Sequence, residues 1–547
     1  MRVIVFDVLR CCDSLFPMRA TPRPQAGCAT SLRRFFTLFF ALLAFNFILR
    51  IVYARFEFLL NPDELLWAVT AREFLAGKAL YREVWLDKPP GATLIYAAVF
   101  ALTGVKMLAI RIFAPLYVFL TALIVRAIAR RLFDDRVAWM AAFLFSFVSV
   151  NYFPEDVILL NTELLMLLPL CAATWCFIRA LLRDEQRVAY FIAAGILTAI
   201  ATLIKPVALF NLLFFAIAPW FPKSRRDGRT IAAAAFSTAA GLALVLGAFY
   251  LILDLTEALD PFVRDALLTG AHYVTDQTWA ETLRRTSGLF SYLGYNLPFF
   301  ILAAAAWRKR AAGSWIYLWL LASFLGAAAG RRFYGHYFIQ LMPPLAILAA
   351  VGLNQLTKQL RRAPTLAVRS VAVVLVVLTV CSFYRFQERT IVFAFNTFIR
   401  RPIPDRWLLA RFNRDIRNIA TYIDAHTSAD DPIFVWGFKP EIYYASKRPL
   451  ASRYLSFVPL TGWTHGMPAS LDFSAQSQWV LGRKLLLADL EISRPLYIVD
   501  MASVHDFGMN HAMENYPDLR LYLHNHYKLE SIYSAGDNTA LYYRRID

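Results

Sequence analysis

The chain has 547 residues, of which 59% are hydrophobic and 18% charged, with a mean hydropathy of +0.48. Soluble chains run at about 45–50% apolar and about 25% charged, so this one has too little polar surface for water alone, and disorder, collagen and a small disulfide scaffold are excluded. The net charge is +18, but the cations fall in short runs between apolar stretches, a pattern that orients membrane spans and not one that builds a nucleic-acid-binding module.

Residues 1–32 hold no apolar run of spanning length and read as a cytoplasmic tail, or as an extension upstream of Met18. The first span, 35–55, lacks a small-residue cleavage site and reads as an anchor. Beyond it, basic clusters mark the cytoplasmic side: Arg126/Arg130/Arg131/Arg136, Arg179/Arg183/Arg187, Lys223/Arg225/Arg226/Arg229, Arg308/Lys309/Arg310 and Lys358/Arg361/Arg362/Arg369. Parity is satisfied by spans at 35–55, 108–128, 137–153, 160–181, 188–204, 206–221, 230–253, 289–307, 314–329, 336–354 and 367–384. That makes eleven helices, or up to thirteen, with the N-terminus inside. The run 91–105 spoils parity as a span and is expected to be re-entrant or juxtamembrane. The turns near 154–160, 205–206, 254–288 and 330–336 then lie outside, as does the first loop, 56–106.

After about residue 385 the texture becomes polar. The pattern predicts a helix over 408–426, a buried strand at 433–437, a helix at 440–446, a helix over 481–493 and a strand at 495–501, with closing strands after 518. Alternating helix and strand implies a small soluble α/β domain over 400–547, outside the membrane. No Gly-rich phosphate fingerprint follows either strand, so nucleotide binding of the Rossmann kind is excluded. The six cysteines (Cys11, Cys12, Cys28, Cys171, Cys176 and Cys381) lack zinc spacing and imply no disulfide framework.

Chemistry concentrates outside. Asp63 and Glu64 follow the first span, and Asp87-Lys88-Pro89-Pro90 closes the same loop. An acidic pair there is equally at home as helix-start polarity, but ionisable groups at the hydrocarbon edge need a cavity or a partner. Glu163, one turn into an apolar helix, is costly without a role. Lys205 before Pro206 reads equally as a snorkelling cation, and Arg331 and Arg332 as headgroup contacts.

Asp63-Glu64, Gly77 with Tyr81, and Lys88-Pro89-Pro90 resemble the first-loop signature of family 39 glycosyltransferases. These belong to the GT-C membrane class, which includes protein O-mannosyltransferases and the aminoarabinose transferases. Asn161-Thr162-Glu163, after Glu155-Asp156, is similar to an Asn-x-Glu of the family's second outside loop. Arg332, His336-Tyr337-Phe338 and Pro343-Pro344 resemble a further family helix.

The resemblance covers about 35–355. It implies a multi-pass α-helical catalytic domain over 33–385, moving a sugar with inversion from a polyprenyl-phosphate donor to a hydroxyl acceptor on a lipid, polysaccharide or protein. The expected place is the outer face of the cytoplasmic (inner) membrane. It makes Asp63 the general base, with Glu64 and Glu163 as further catalytic carboxylates. Lys88, Lys205, Arg331, Arg332 and His336 become donor-phosphate ligands. A divalent cation on Asp63 and Glu163 stays open, since no Asp-x-Asp occurs. The loop 254–288, with Asp254, Glu257, Asp260, Asp265, His272, Asp276 and Glu281, reads as a lid or as a connector. The competing readings are a secondary transporter, disfavoured because the acids cluster at one face, and a non-catalytic envelope-assembly protein of the same fold.

Overall fold

The computed structural model describes residues 26–153, 157–182, 186–221, 227–268, 278–362, 365–398, 408–462, 477–502, 511–535 and 538–547. The residues of the expected tail up to 25, Glu155, Asp156, His272 and Asp276 lie outside these. Contacts divide the chain into Met1–Ala44 and Phe45–Asp547. The first unit contributes the start of α1 (Ala26–Arg50), where Phe35, Phe36, Phe39 and Phe40 line up ring against ring.

In the second unit the first loop carries α2 (Asp63–Leu75) and α3 (Gly91–Thr103). Then come α4 (Met107–Leu132), α5 (Asp135–Val148), α6 (Thr162–Leu182), α7 (Arg187–Ile204) and α8 (Gly228–Leu255), with α9 (Trp279–Tyr295) and α10 (Leu297–Ala305) after them. The membrane part closes with α11 (Arg310–Ala328), α12 (Met342–Arg362) and α13 (Leu366–Phe398).

Among the described residues seven helical segments are long and apolar enough to cross a bilayer: Leu32–Arg55, α4, α6, α7, α8, Gly335–Arg362 and Leu366–Arg385. The α9–α10 pair, bent by 66°, makes an eighth if it is one span. The other expected spans are apolar but short or broken: α5 has 14 residues, Pro206–Trp220 is split between 3-10 turns and a seven-residue helix, and Gly313–Ala328 is short. Hydropathy windows see only apolar length, whereas a span also needs an unbroken hydrogen-bond ladder. Helix α3, over the run expected not to span, is 13 residues or about 20 Å long, under the roughly 30 Å of hydrocarbon.

Lipid offers no hydrophobic drive between helices, so packing falls to small residues and polar bonds. A Cβ on Gly195 would sit 2.0 Å from the Thr238 carbonyl oxygen, and one on Gly241 2.1 Å from that of Ile192, so α7 and α8 touch backbone to backbone. Pro169 inside α6 has no N–H for the Leu165 carbonyl, and the Tyr117 hydroxyl donates to that oxygen from α4 instead. Asn151 donates to Asn296 and Ser382 at 3.3 and 3.2 Å, tying three segments together.

The C-terminal region follows the expected order as far as β2, after which a helix not expected from the sequence precedes the closing strands. Helix α14 (Leu408–His426) leads to β1 (Ile433–Trp436) and α15 (Pro440–Ser446), and α16 (Ser477–Ser493) leads to β2 (Tyr497–Asp500). Helix α17 (Pro517–His526) then feeds β3 (Tyr527–Ala535) and β4 (Asn538–Arg545). The sheet order is β1-β2-β4-β3, with β1 and β2 parallel and the other pairs antiparallel.

This region is packed onto the first loop. Trp85 is buried in the C-terminal core beside Phe434, Trp436, Tyr454 and Leu486, and its backbone N–H donates to the Arg453 carbonyl at 2.9 Å. Arg72 donates to the Tyr443 and Arg448 carbonyls, and Asn413 exchanges bonds with the Phe58 backbone.

Candidate active site

Helix α2 begins right after Pro62, and both carboxylates sit in its first turn, where the helix dipole favours anions. Successive residues point about 100° apart around a helix, and this rotation separates the neighbours. Asp63 faces the loop and accepts from Lys88 Nζ at 3.0 Å. Glu64 turns into the interior, where Arg111 on α4 donates at 2.5 Å and Tyr96 on α3 at 3.3 Å. The side-chain exposures are 31% and 29% for Asp63 and Lys88, but 0% and 5% for Glu64 and Arg111. Only the first pair can meet a substrate. Glu64, expected among the catalytic carboxylates, serves as a buried tie between α2, α3 and α4.

The turn that returns the chain to Lys88 is tightly specified. Gly77 takes φ +93 after the end of α2, a region in which a Cβ would be strained. Tyr81 holds φ 69 despite its side chain and donates from its hydroxyl to the Lys88 carbonyl at 2.9 Å. Pro89 and Pro90 precede α3, and Gly91 opens it against the end of α7: a Cβ there would lie 2.6 Å from the Leu203 carbonyl oxygen. Pro206 cannot continue α7, which ends with Lys205 extended. The close contact at Gly91 therefore sets Lys88 and Lys205 at one place.

Lys205 forms an ion pair with Glu163, which stands in the first turn of α6. Thr162 donates to the other Glu163 oxygen at 2.9 Å, and His336 Nε2 lies 3.6 Å from the oxygen that Lys205 holds. Tyr337 joins the group, with Lys205 4.3 Å from its ring centroid and the His336 ring edge-on at 4.9 Å. Lys88 lies 5.7 Å from the centroid of Trp67.

The two pairs act on each other, since Lys88 is attracted by Glu163 as well as by its own partners. Burial alone would disfavour the Lys88 ammonium, but Asp63 and Asp87 outweigh it and hold the group above its ordinary value. Asp87 goes the same way: burial raises it, Lys88 opposes that, and Asp63 adds to it.

The described contacts thus bring Asp63, Lys88, Glu163, Lys205 and His336 to one end of the helical part. Arg331 lies over the Trp279 ring at 5.4 Å, and Arg332 is buried in the same turn. Of the seven non-glycine residues with positive φ among the described residues, Tyr81, Arg331 and Phe333 lie in the two loops that deliver Lys88 and His336. Strain of this kind is held only where surrounding structure over-determines it. The described part of the lid segment packs on the same turn: Phe262 meets the Tyr81 ring at 5.1 Å, and Arg82 pairs with Glu257 at 3.5 Å. Among the described residues no three His, Cys, Asp or Glu side chains group as a metal seat. Asp63 and Glu163 are each paired with a lysine in this arrangement.

Trp85, Tyr337 and Thr162 carried no assigned role in the sequence. For Tyr337 a signal existed in its position beside His336; for Trp85 none did, since its partners lie more than 340 residues away.

Comparison with known proteins bears on the fold. The family model described as dolichyl-phosphate-mannose-protein mannosyltransferase matches residues 87–252, a stretch that includes Asp87, Lys88, Glu163 and Lys205. The chain is similar to the crystal structure of ArnT from Cupriavidus metallidurans in the apo state, at 15% identity and a TM-score of 0.59, over 94% of this chain and 98% of that one. The same enzyme bound to undecaprenyl phosphate matches at 15% identity and 0.57, over 93% and 98%. The archaeal oligosaccharyltransferase AglB from Archaeoglobus fulgidus, in complex with an inhibitory peptide and a dolichol-phosphate, matches at 14% and 0.51, over 92% and 74%. A search of curated proteins returned no match. The fold is that of the multi-pass GT-C membrane glycosyltransferases.

Proposed function

We propose that the chain is a membrane glycosyltransferase that moves a sugar from a polyprenyl-phosphate donor to a hydroxyl acceptor at the outer face of the cytoplasmic membrane, with inversion. The observation that carries this reading is the pair of lysine–carboxylate contacts, Asp63–Lys88 and Glu163–Lys205, set together at the end of apolar helices. A donor with a greasy tail and an anionic phosphate suits a site built from apolar spans and two ammonium groups. The likeness to an undecaprenyl-phosphate-bound relative supports the same donor class.

The donor phosphate competes with Asp63 for Lys88, which releases the carboxylate. Asp63 then takes the proton from the acceptor hydroxyl as its oxygen attacks the anomeric carbon from the face opposite the phosphate. The new C–O bond forms as the bond to phosphate breaks. The charge that develops on the departing polyprenyl phosphate falls to Lys88 and Lys205, with Arg331, Arg332 and His336 as further donors. Glu163 orients Lys205. In this reading residues 33–385 form the catalytic domain, 1–32 a cytoplasmic tail, and 400–547 an outside (periplasmic) region that tunes acceptor use through its grip on Trp85. Lipid, polysaccharide or protein acceptors all offer the hydroxyl required.

The test is transfer from purified polyprenyl-phosphate sugar against a UDP- or GDP-sugar in the same membranes. The lipid donor is expected to be used strongly and polyprenyl phosphate alone to inhibit; preference for the nucleotide sugar refutes the assignment. Orientation is tested separately in intact cells. Cysteines at Ser287 and Ser493 should react with an impermeant reagent and those at Gly228 and Gly313 should not.

A further inference from the structure

The two lysine–carboxylate pairs stand on different segments, and α3 runs between them. It opens at Gly91, directly after Lys88-Pro89-Pro90, where its backbone meets the end of α7 beside Lys205. Further along the same helix stands Tyr96, fully buried. Its ring meets the Trp67 ring edge-on at 6.0 Å, and Lys88 Nζ lies 5.7 Å from the Trp67 ring centroid. The Tyr96 hydroxyl reaches the Leu160 carbonyl at 3.2 Å and Glu64 Oε1 at 3.3 Å, so one proton is divided between two acceptors.

Leu160 is fully buried and stands just before α6, whose first turn carries Glu163. Among the described residues no backbone N–H donates to its carbonyl. The Asn161 side chain takes the Leu164 N–H at 2.8 Å, and the Leu165 N–H goes to the Asn161 carbonyl at 2.9 Å. A buried carbonyl without a donor is costly, so the Tyr96 hydroxyl fixes the chain at this point. Glu64 fixes the hydroxyl in turn, being itself held by Arg111 at 2.5 Å. The interior ion pair is thereby tied, through one tyrosine, to the segment that presents Glu163 to Lys205. Thr93, about one turn earlier on α3 and equally buried, makes a hydroxyl contact with Thr70 on α2 at 3.0 Å and, among the described contacts, none with α6.

We infer that Tyr96 is a positioning residue for the transfer reaction: through the Leu160 carbonyl it sets Glu163, and with it Lys205, against the departing phosphate, while its ring supports Trp67 beside Lys88. This rests on the transferase reading. Tyr96→Phe keeps the ring and removes only the hydroxyl. For the full chain in detergent, the kcat of transfer from polyprenyl-phosphate sugar is expected to fall about tenfold. The donor KM should stay within about twofold of wild type, because Lys205 acts on charge that develops in the transition state. The loss should vanish in a Glu163→Gln background, where Tyr96 has nothing left to position. Thr93→Val should keep the wild-type kcat. A second reading needs neither donor nor turnover: in hydrogen exchange, the amides of 161–166 should exchange about tenfold faster in Tyr96→Phe and as wild type in Thr93→Val. Unchanged exchange in Tyr96→Phe overturns the contact. A wild-type kcat in that variant, or a loss that adds in full to that of Glu163→Gln, overturns the positioning role. A wild-type chain that transfers nothing from the lipid donor refutes the transferase reading instead, and the exchange result still decides the contact.

Discussion

Two acid–base pairs start from adjacent residues and end in opposite places. Glu64 and Arg111 lock α2 to α4 inside the protein, while the Asp63–Lys88 pair, which starts one residue away, stands where solvent reaches it. Residue type is the same in both regions; the side of the helix decides. In the interior an ion pair is a matter of structure, because burial leaves neither charge open to exchange with solvent. At the open end the pair is partly exposed, and in the proposed function a phosphate replaces the carboxylate on the lysine.

The largest effect that tests this contrast is on stability. Glu64→Gln leaves Arg111 buried without its counter-charge, which typically costs about 3–5 kcal/mol. Thermal unfolding of the detergent-solubilised protein should show it, with the kcat of the surviving folded fraction near wild type. A variant of normal stability with no turnover would move Glu64 to the chemical side and break the contrast.

Asp63→Asn should do the reverse. Transfer falls about a hundredfold or more through loss of the proton acceptor, while the melting temperature changes little because the pair is half exposed. Retained transfer at saturating donor removes Asp63 as the base.

Gly91→Ala is expected to come next, since its new Cβ meets the Leu203 carbonyl oxygen and the Ile204 Cα, backbone atoms that cannot swing away, as well as the Ile204 side chain. The shift separates Lys88 from Lys205, and misplacement of about 1 Å at a reacting centre costs up to about a hundredfold. A drop of tenfold or more in donor use is the expected reading. Wild-type kinetics would show that the two lysines do not need each other.

The smallest expected effect is that of pH on Lys88. Its folded-state value lies above the ordinary one of about 10.4, so the stabilisation by its partners is fully present below that pH and is lost only as pH climbs through the folded value. Lys88→Ala should abolish donor use. Lys88→Arg should keep part of it and share the wild-type profile between pH 6 and pH 9. A Lys88-dependent inflection inside that window would mean that Asp63 and Asp87 do not hold the proton as described.

The legibility of the chain followed the range of the forces involved. The C-terminal elements were readable almost to the residue: α14 and α15 run over 408–426 and 440–446 as expected, and β1 falls within 433–437. Local periodicity and flanking Pro and Gly residues carry that information. The span list was less readable, because Pro206 and the break between α9 and α10 interrupt helices that remain apolar throughout. The site was readable as a set of residues but not as pairs. Lys205 with Glu163, and His336 beside them, join three loops that share no sequence signal.

By itself the sequence determined that the chain enters a membrane, that its ionisable residues gather in a few loops, and that a helix-and-strand region follows the spans. Those are properties of composition and of short-range pattern, and they hold whatever the packing. Only the tertiary structure decided which of Asp63 and Glu64 stays accessible, because that depends on the roll of α2 against α3 and α4. Only the tertiary structure brought Trp85 into the core of a region more than 340 residues downstream. Burial of an aromatic ring is set by the surface that meets it, and no local rule specifies that surface.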